Sequence, residues 1–577
     1  MSTAWFLINT LNQEAQLLLY TLAINYSLLS QDELIPFFHS LGEKNRNIRI
    51  HIKDLQNLGF LSQQGNLNYK YIKLLSSIKK IEPHKCRFIE KRLLEHVKLK
   101  ITNLLPFAAI QSIKFFSRLK DYATILEILP NVINHSLDRF NFKQAELLLN
   151  IKKLISFNEL SPAQSKILNC IITAKKLRYS LLRSQLNEAQ QVFVQAKSIE
   201  DSYPEDPYYA DLYLQMSRYY LANKKIKQAI AHVKKATIYF QELNQTPKIN
   251  ESYIVLGQAL LAKGNIYEAF EYFGFAEKLA TDCNHLTSLI KCLLLKAITL
   301  FLLGNYSRAL IDVEEALKLA NAQGLRNLQL LLAFFKARLL FDLGLYIETS
   351  HVLQECLCIY QSYNIKGAHL VIHAWLARTY AYMGEHELAI NILKNQKETQ
   401  ETLFFRAEAL FISNNNNKAI KTLTKALHFK PDRNYFFIEQ IPWRNGFCII
   451  EECCFEIATY GTELYRLIKA LRGYLLCNET KLEQGIKELH TLTIIEKLSP
   501  YDPYAHHFYL FYYLILKKKI KIDFAESADR LTVLNLALKH LQERSTAIDD
   551  PKQRINYISK NYWNKQLMHE AKENKLL

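Results

Sequence analysis

The stretch LGQALLAKGNIYEAFEYFGFAEKLA, residues 256–280, sets Gly257 twelve positions before Ala269, sixteen before Phe273 and nineteen before Ala276. Forty residues on, LKAITLFLLGNYSRALIDVEEALKLA places Ala297, Ala309, Val313 and Ala316 in the same slots. The next two steps bring Ala337, Thr349, Leu353 and Cys356, then Ala377, Ala389, Leu393 and Gln396. Stepping backwards gives Ser217, Ala229, Val233 and Ala236, then Leu177, Ala189, Phe193 and Ala196. A glycine keeps step between the two halves of each copy, at Gly264, Gly304, Gly344 and Gly384, with Ser184 and Lys224 in the earlier copies. Glycine just past a helix supplies a left-handed cap that other residues adopt only with strain. Each copy therefore reads as two helices and a tight turn. Small residues let the helices approach, and the larger residue between them fills the groove. One copy cannot bury its own face, so copies must stack.

This pattern resembles the tetratricopeptide repeat. Six copies run from about residue 169 to 400, and a shorter seventh, FRAEALFISNNNNKAIKTLTKALHFKPD, carries Ala407, Ala419, Leu423 and Ala426 before Pro431. A degenerate copy with Ala145 and Leu149 precedes the array. The resemblance implies an all-α fold, an α-solenoid of helix hairpins wound into a right-handed superhelix with a concave wall. A period of forty exceeds the usual ~34 residues. It is similar to the elongated repeats of signal-transduction ATPases with numerous domains, among them maltose-regulon activators and cyclase-linked ATPases.

Composition agrees. Of 577 residues 49% are hydrophobic, enough to build a core, while only 15 Gly and 13 Pro punctuate the chain, too few for a sheet protein. The net charge of +18 permits nucleic acid, anionic membrane or acidic protein as partner without choosing among them. No basic start with an apolar run and cleavage site opens the sequence. The apolar run Phe508–Leu516 falls short of the ~20 residues that a membrane span needs. The expected location is the cytoplasm. Ten cysteines without metal-ligand spacing read as buried thiols.

The two ends differ from the middle. In NIRIHIKDLQNLGFLSQQGNLNYKYI, residues 47–72, Ile48, Ile52, Leu55 and Leu58 make one helix face that closes at Gly59. Phe60-Leu61 and Tyr69–Tyr71 then flank a turn at Gln64-Gly65-Asn66. With an earlier helix capped by Ser30 and Glu33, these suggest a winged helix. Its outward Arg46, Arg49, Lys53 and Gln56 suit DNA phosphates and base edges, or form an ordinary solvated face. Residues 1–80 hold eight Lys/Arg against five Asp/Glu, a weak field for a lone DNA anchor. The far end, DDPKQRINYISKNYWNKQLMHEA, resembles the closing helix of cyclase-linked ATPases through Asp550-Pro551, Arg554 and Trp563-Asn564. The expected domains are a winged helix at 1–80, connecting helices at 81–120, the repeat array at 121–440 and a helical extension and cap at 441–577. That order resembles such an ATPase with its nucleotide-binding core missing.

No phosphate loop of the form GxxxxGK[ST], no HExxH and no GxSxG occurs. His506 and His507 are adjacent and project from different sides of a helix, so they do not suit one metal. The expectation is a non-enzymatic scaffold with no metal and no cofactor. In tetratricopeptide arrays the first helix of each copy lines the concave wall, and the residue after the first slot points into it. Here these are Arg178, Arg218, Gln258, Ile298, Arg338 and Arg378, with Tyr219, Tyr220, Tyr380 and Tyr382 nearby. A ladder of guanidinium forks would bind carboxylates of an acidic polypeptide. The same arginines could instead bridge neighbouring copies, with Asp342 set to pair Arg338 and Asp211 to pair Arg218. Two rival functions stand beside the scaffold: a DNA-binding regulator with the array as sensor, and a regulatory partner of a separately encoded ATPase or cyclase.

Overall fold

The recurring slots decide the packing. Ala229, Val233, Ala236, Ala269, Phe273, Ala276, Ala309, Val313, Ala316, Leu353, Ala389 and Leu393 are all fully buried. Gly257 shows why its slot is small: a Cβ there would lie 2.5 Å from the Phe273 ring. The four turn glycines all take the left-handed conformation, with φ of 94°, 87°, 75° and 97° at Gly264, Gly304, Gly344 and Gly384. A second left-handed series joins copy to copy at Asn244, Asn284 and Gly324, again forty apart. Asparagine tolerates this region better than other side chains.

The computed structural model describes residues 11, 13–25, 37, 48–58, 60–61, 83–100, 113, 116–117, 120–138, 142–151, 160–183, 185–202, 209–223, 225–363, 368–395, 398–428, 465–477, 482–495, 498, 501–517 and 529–577. Helix dominates these, and Leu61 alone carries a bridge. The chain forms two units, residues 1–175 and 176–577.

The first unit holds α1 (Gln13–Asn25), α2 (Ile48–Asn57), α3 (Pro83–Lys100), α4 (Tyr122–Asp138) and α5 (Phe142–Leu149). Helix α1 packs on α2 and α3, and α4 packs on α5. Buried His51 reaches Glu14 at 2.9 Å, tying α2 to α1. Helix α2 is the expected third helix of the winged-helix reading, with Leu55 fully buried. The wing from residue 62 on, the Ser30 cap and Arg46 lie outside the described residues.

Helix α6 (Pro162–Leu182) crosses the division. The second unit continues with α7 (Leu186–Ser202), α8 (Ala210–Ala222), α9 (Ile226–Glu242), α10 (Thr246–Lys263), α11 (Ile266–Asp282), α12 (Leu286–Leu303) and α13 (Tyr306–Ala322). Then come α14 (Arg326–Asp342), α15 (Tyr346–Tyr363), α16 (Ala368–Met383), α17 (His386–Lys394), α18 (Gln400–Ile412) and α19 (Asn416–His428). From α8 to α19 each helix packs on its chain neighbours, as stacked hairpins require. Helix α12 is long and apolar enough to cross a membrane by length and composition, yet 61% of its length is buried among its neighbours. This apolar stretch is longer than the Phe508–Leu516 run.

The C-terminal helices are α20 (465–477), α21 (Leu482–His490, running on as a π turn Thr491–Ile495), α22 (Ala505–Leu516), α23 (Arg530–Thr546), α24 (Pro551–Ser559) and α25 (Tyr562–Glu573). Asp550 caps α24 by accepting from Gln553 N at 2.7 Å, with Pro551 in the first turn. Arg554 donates to the Ile548 carbonyl at 2.7 and 3.0 Å.

Candidate interaction face

The first helices α12, α14 and α16 carry the last three ladder positions, Ile298, Arg338 and Arg378, and the C-terminal helices lie against these helices and α18. Arg544 of α23 donates to Leu302 O at 3.1 Å and to Phe301 O and the Tyr306 hydroxyl at 2.9 Å each. One copy on, Asn561 donates to Asp342 O at 3.0 Å, and Tyr562 N donates to the Tyr346 hydroxyl at 3.2 Å. The contacted residues Phe301 and Asp342, Tyr306 and Tyr346, belong to equivalent ends of successive hairpins. The turns are met just as closely. A Cβ on Gly304 would lie 3.3 Å from the Arg544 backbone, and one on Gly344 would lie 2.6 Å from Asn561 N. Trp563 stacks on Phe411 with centroids 5.6 Å apart and takes the edge of Phe511 at 4.6 Å. The segment expected as an end cap thus spans the edge of four successive copies.

The ladder residues stand inside this packing. Arg178, Arg218, Gln258, Ile298, Arg338 and Arg378 are all buried. Arg378 grips Glu408 of the next copy through Nε–Oε2 at 2.8 Å and Nη2–Oε1 at 3.0 Å. The Tyr382 hydroxyl donates to the same carboxylate at 2.9 Å. Arg218 pairs with Glu251 of the next copy at 2.9 Å, while Asp211, the partner expected for it, takes Lys248 at 3.4 Å. Arg338 lies over the Phe301 ring at 4.6 Å. Two arginines of the ladder therefore act as bridges between copies. The tyrosines are packing groups too: Tyr219 stacks on Phe193 at 4.1 Å, Tyr220 is T-shaped to it at 5.1 Å, and the Tyr380 hydroxyl accepts from Gln354 at 3.2 Å.

A cleft of about 470 Å3, counted to its open mouth, lies where α14, α16 and α18 meet the C-terminal helices, lined among others by Arg378, Asp342, Tyr382, His507 and Trp563. Burial pushes the Asp342 carboxyl up from its ordinary range, against the pull of Arg338, Arg378 and Arg544. Burial likewise depresses both histidines, His507 to about 3 and His506 well below its usual value. Their rings lie 4.2 Å apart, and both Nε2 atoms reach Asn564 Oδ1, at 2.9 and 3.2 Å. Adjacent in sequence, they converge on one amide oxygen, which accepts from both. Asn564 also donates to Tyr557 O at 2.9 Å, so this amide pins α22 to α24 and α25.

In the DNA reading, Arg49 lies on α2, Lys53 is exposed and Gln56 is half-buried. Helix α3 adds exposed His84, Lys85, Arg87, Lys91 and Arg92 around a half-exposed Phe88. Sequence reasoning missed Arg544, Asn561, Glu251 and Glu408. The first two meet partners more than 200 residues away. The two acids stand inside the first helix of the next copy, 33 residues after Arg218 and 30 after Arg378, so an acid some 30 positions downstream of each arginine was the available signal.

A family model named TP_0123_C, described as a C-terminal domain, matches residues 453–575. No curated protein matches the chain in sequence. Among solved structures, the chain is similar to a signal-transduction ATPase with numerous domains carrying a tetratricopeptide-repeat sensor, from Pyrococcus horikoshii, at 16% identity and a TM-score of 0.53, over 75% of this chain and 66% of that one. About a third of that protein thus has no counterpart here. RapI in its apo form aligns at 15% identity and a TM-score of 0.43, over 59% of this chain and 97% of RapI. Yeast Tom70 aligns at 15% and 0.34, over 91% and 99%. The first likeness shows the fold: an all-helical tetratricopeptide-type array resembling the repeat half of such an ATPase.

Proposed function

We propose that this chain is a non-enzymatic scaffold or adaptor that binds a partner polypeptide along its repeat array. The observation that carries this is the regular stack from α8 to α19, whose slots are spent on internal packing and whose hairpin ends form one extended, repeated edge. Such edges offer large recognition surface at low folding complexity. An acidic partner, selected by a free arginine ladder, has weaker support, since Arg218 and Arg378 already hold carboxylates of the chain itself. The exposed free thiol of Cys283 fits a reducing compartment such as the cytoplasm.

The test is affinity capture of the full chain from its native cell, followed by hydrogen exchange on the reconstituted pair. The scaffold reading expects a stoichiometric partner whose footprint falls on residues 209–428. A footprint confined to residues 1–175, or turnover of a small molecule, would replace it. One observation favours a second reading, in which a winged helix binds nucleic acid: the exposed cations Lys53, Lys85, Arg87, Lys91 and Arg92 of α2 and α3. Salt-dependent duplex binding lost on reversing these charges would establish it. The third reading, a regulatory partner of a separate ATPase, rests on the fold likeness and is decided by the identity of the captured protein.

A further inference from the structure

We infer that the hairpin ends at Gly304 and Gly344 form a docking site for a donor-rich, aromatic helix, that the chain's own C-terminal helices are its resident occupant, and that a partner of the same chemistry displaces them. This deepens the scaffold reading and rests on it.

The site is defined by what it accepts. The final carbonyls of a helix lack intrahelical donors and carry the negative end of its dipole. At the end of α12 the Leu302 carbonyl, and the Phe301 carbonyl that also accepts from Gly304 N, take one guanidinium, that of Arg544, and at the end of α14 the Asp342 carbonyl takes the amide of Asn561. Phenol rings stand two residues past each glycine, Tyr306 and Tyr346, and each hydroxyl joins the contact. An indole, Trp563, stacks on Phe411 of α18, backed on its other side by Phe511 of the C-terminal helices themselves. Arginine and tryptophan are among the residues enriched at the hot spots of interfaces. A carboxylate would face these carbonyls with like charge. The fitting partner is therefore a helix bearing Arg or Asn at the turns and an aromatic beyond them.

The edge is also longer than its occupant. The same left-handed glycine turn recurs at Gly264 and Gly384, where a Cβ would meet nothing within 4 Å. Beside Gly384 stand the exposed apolar groups Met383 at 39% and Leu388 at 45%, while beside Gly264 the Tyr267 ring, 64% exposed, meets the edge of Tyr501 at 6.2 Å. A partner helix can engage an open turn first and advance into the occupied pair. It must outcompete a tethered rival, whose effective concentration is on the order of millimolar.

The experiment uses the full chain and, as probe, a labelled synthetic peptide of residues 541–566. In the Arg544→Ala/Trp563→Ala protein, hydrogen exchange at residues 300–306 and 340–346 accelerates, and the peptide binds at least tenfold tighter than to the unaltered protein. Adding it restores protection there. A peptide carrying R544A, N561A and W563A does not bind. Arg544→Lys, which keeps charge without the fork, gives an intermediate gain and serves if the double variant fails to fold. Unchanged exchange at both turns, or equal peptide binding to both proteins, overturns the inference. A cellular partner that footprints elsewhere on the array would overturn it while leaving the scaffold reading intact; absence of any partner alongside tight peptide binding would do the reverse.

Discussion

Arg378 and Glu408 meet in a two-pronged ion pair across the boundary between two copies, at 2.8 and 3.0 Å, with both side chains about 95% buried. The guanidinium is ringed by Phe341, Trp375 and Phe405 at 4.7–5.1 Å. Buried pairs of this kind are costly to break from one side. Arg378→Met or Glu408→Leu alone is expected to destabilise by about 3–5 kcal/mol, because each leaves an uncompensated charge. The double variant Arg378→Met/Glu408→Leu recovers most of that loss in urea unfolding. It does not recover all, since the Tyr382 hydroxyl loses its acceptor. Additive single effects would show the pair to be uncoupled.

The slot rule makes a second prediction. Gly257 faces Phe273, whereas the equivalent pair one copy on is Ala297 and Val313. Gly257→Ala overpacks the site and is expected to cost about 1–3 kcal/mol. Phe273→Val empties it, at a cost of roughly 2–4 kcal/mol. The combination rebuilds the neighbouring copy's pair, so it should cost at least about 1 kcal/mol less than the sum of the two. Thermal midpoints of the three proteins decide this.

Two glycines share a backbone conformation and differ in what covers them. Gly384→Ala carries only the left-handed penalty, on the order of 1–2 kcal/mol. Gly344→Ala carries the same penalty and also drives a methyl into the Lys560–Asn561 backbone. It should therefore weaken protection in α24 and α25, where Gly384→Ala leaves it unchanged. Hydrogen exchange resolved by segment measures the contrast.

The histidine pair makes the C-terminal helices sensitive to acid. His507 is held down to about 3 and His506 well below its ordinary value, chiefly by burial, with Arg378, Arg544 and His540 nearby. A depressed histidine binds fewer protons folded than unfolded, so stability is full above the ordinary value near 6.5 and falls as pH drops from there towards 3. Urea midpoints should decline between pH 7 and pH 5. His507→Gln should flatten that decline. A pH-independent midpoint would show that these rings are accessible to protons in the folded state.

The array was legible because a forty-residue period writes the same packing problem many times. Ala269, Phe273 and Ala276 could be checked against Ala309, Val313 and Ala316 without coordinates. The turn glycines were legible for the same reason, while the companion series Asn244, Asn284 and Gly324 passed unnoticed because asparagine also serves as an ordinary polar residue. The ladder's spacing was found, yet its direction was open between groove and bridge. Only the position of Glu251 and Glu408 on the first helix of the next copy decides that for Arg218 and Arg378. The role of Arg544 had no local trace, since a residue reaching a carbonyl about 240 positions away leaves no mark in spacing. Trp563-Asn564 was picked out by resemblance, and the structure supplies the reason: a stacked indole and an amide shared by two histidines.

A repeat stack held only by nearest neighbours unravels from its ends, one hairpin at a time, like a zipper. Arg544 and Asn561, with Tyr562 on Tyr382 and Trp563 on Phe411, change that for α12 to α18 by linking hairpins to a distant C-terminal segment, some 220–240 positions downstream for the first two. Those hairpins should melt in a single concerted step together with the C-terminus, and late in refolding, because the closing loop is long. Hairpins α8 to α11 lie upstream of both clasps and meet the C-terminal segment through the looser Tyr267–Tyr501 ring contact at 6.2 Å, so thermal denaturation should run in two stages, with the upstream copies yielding first.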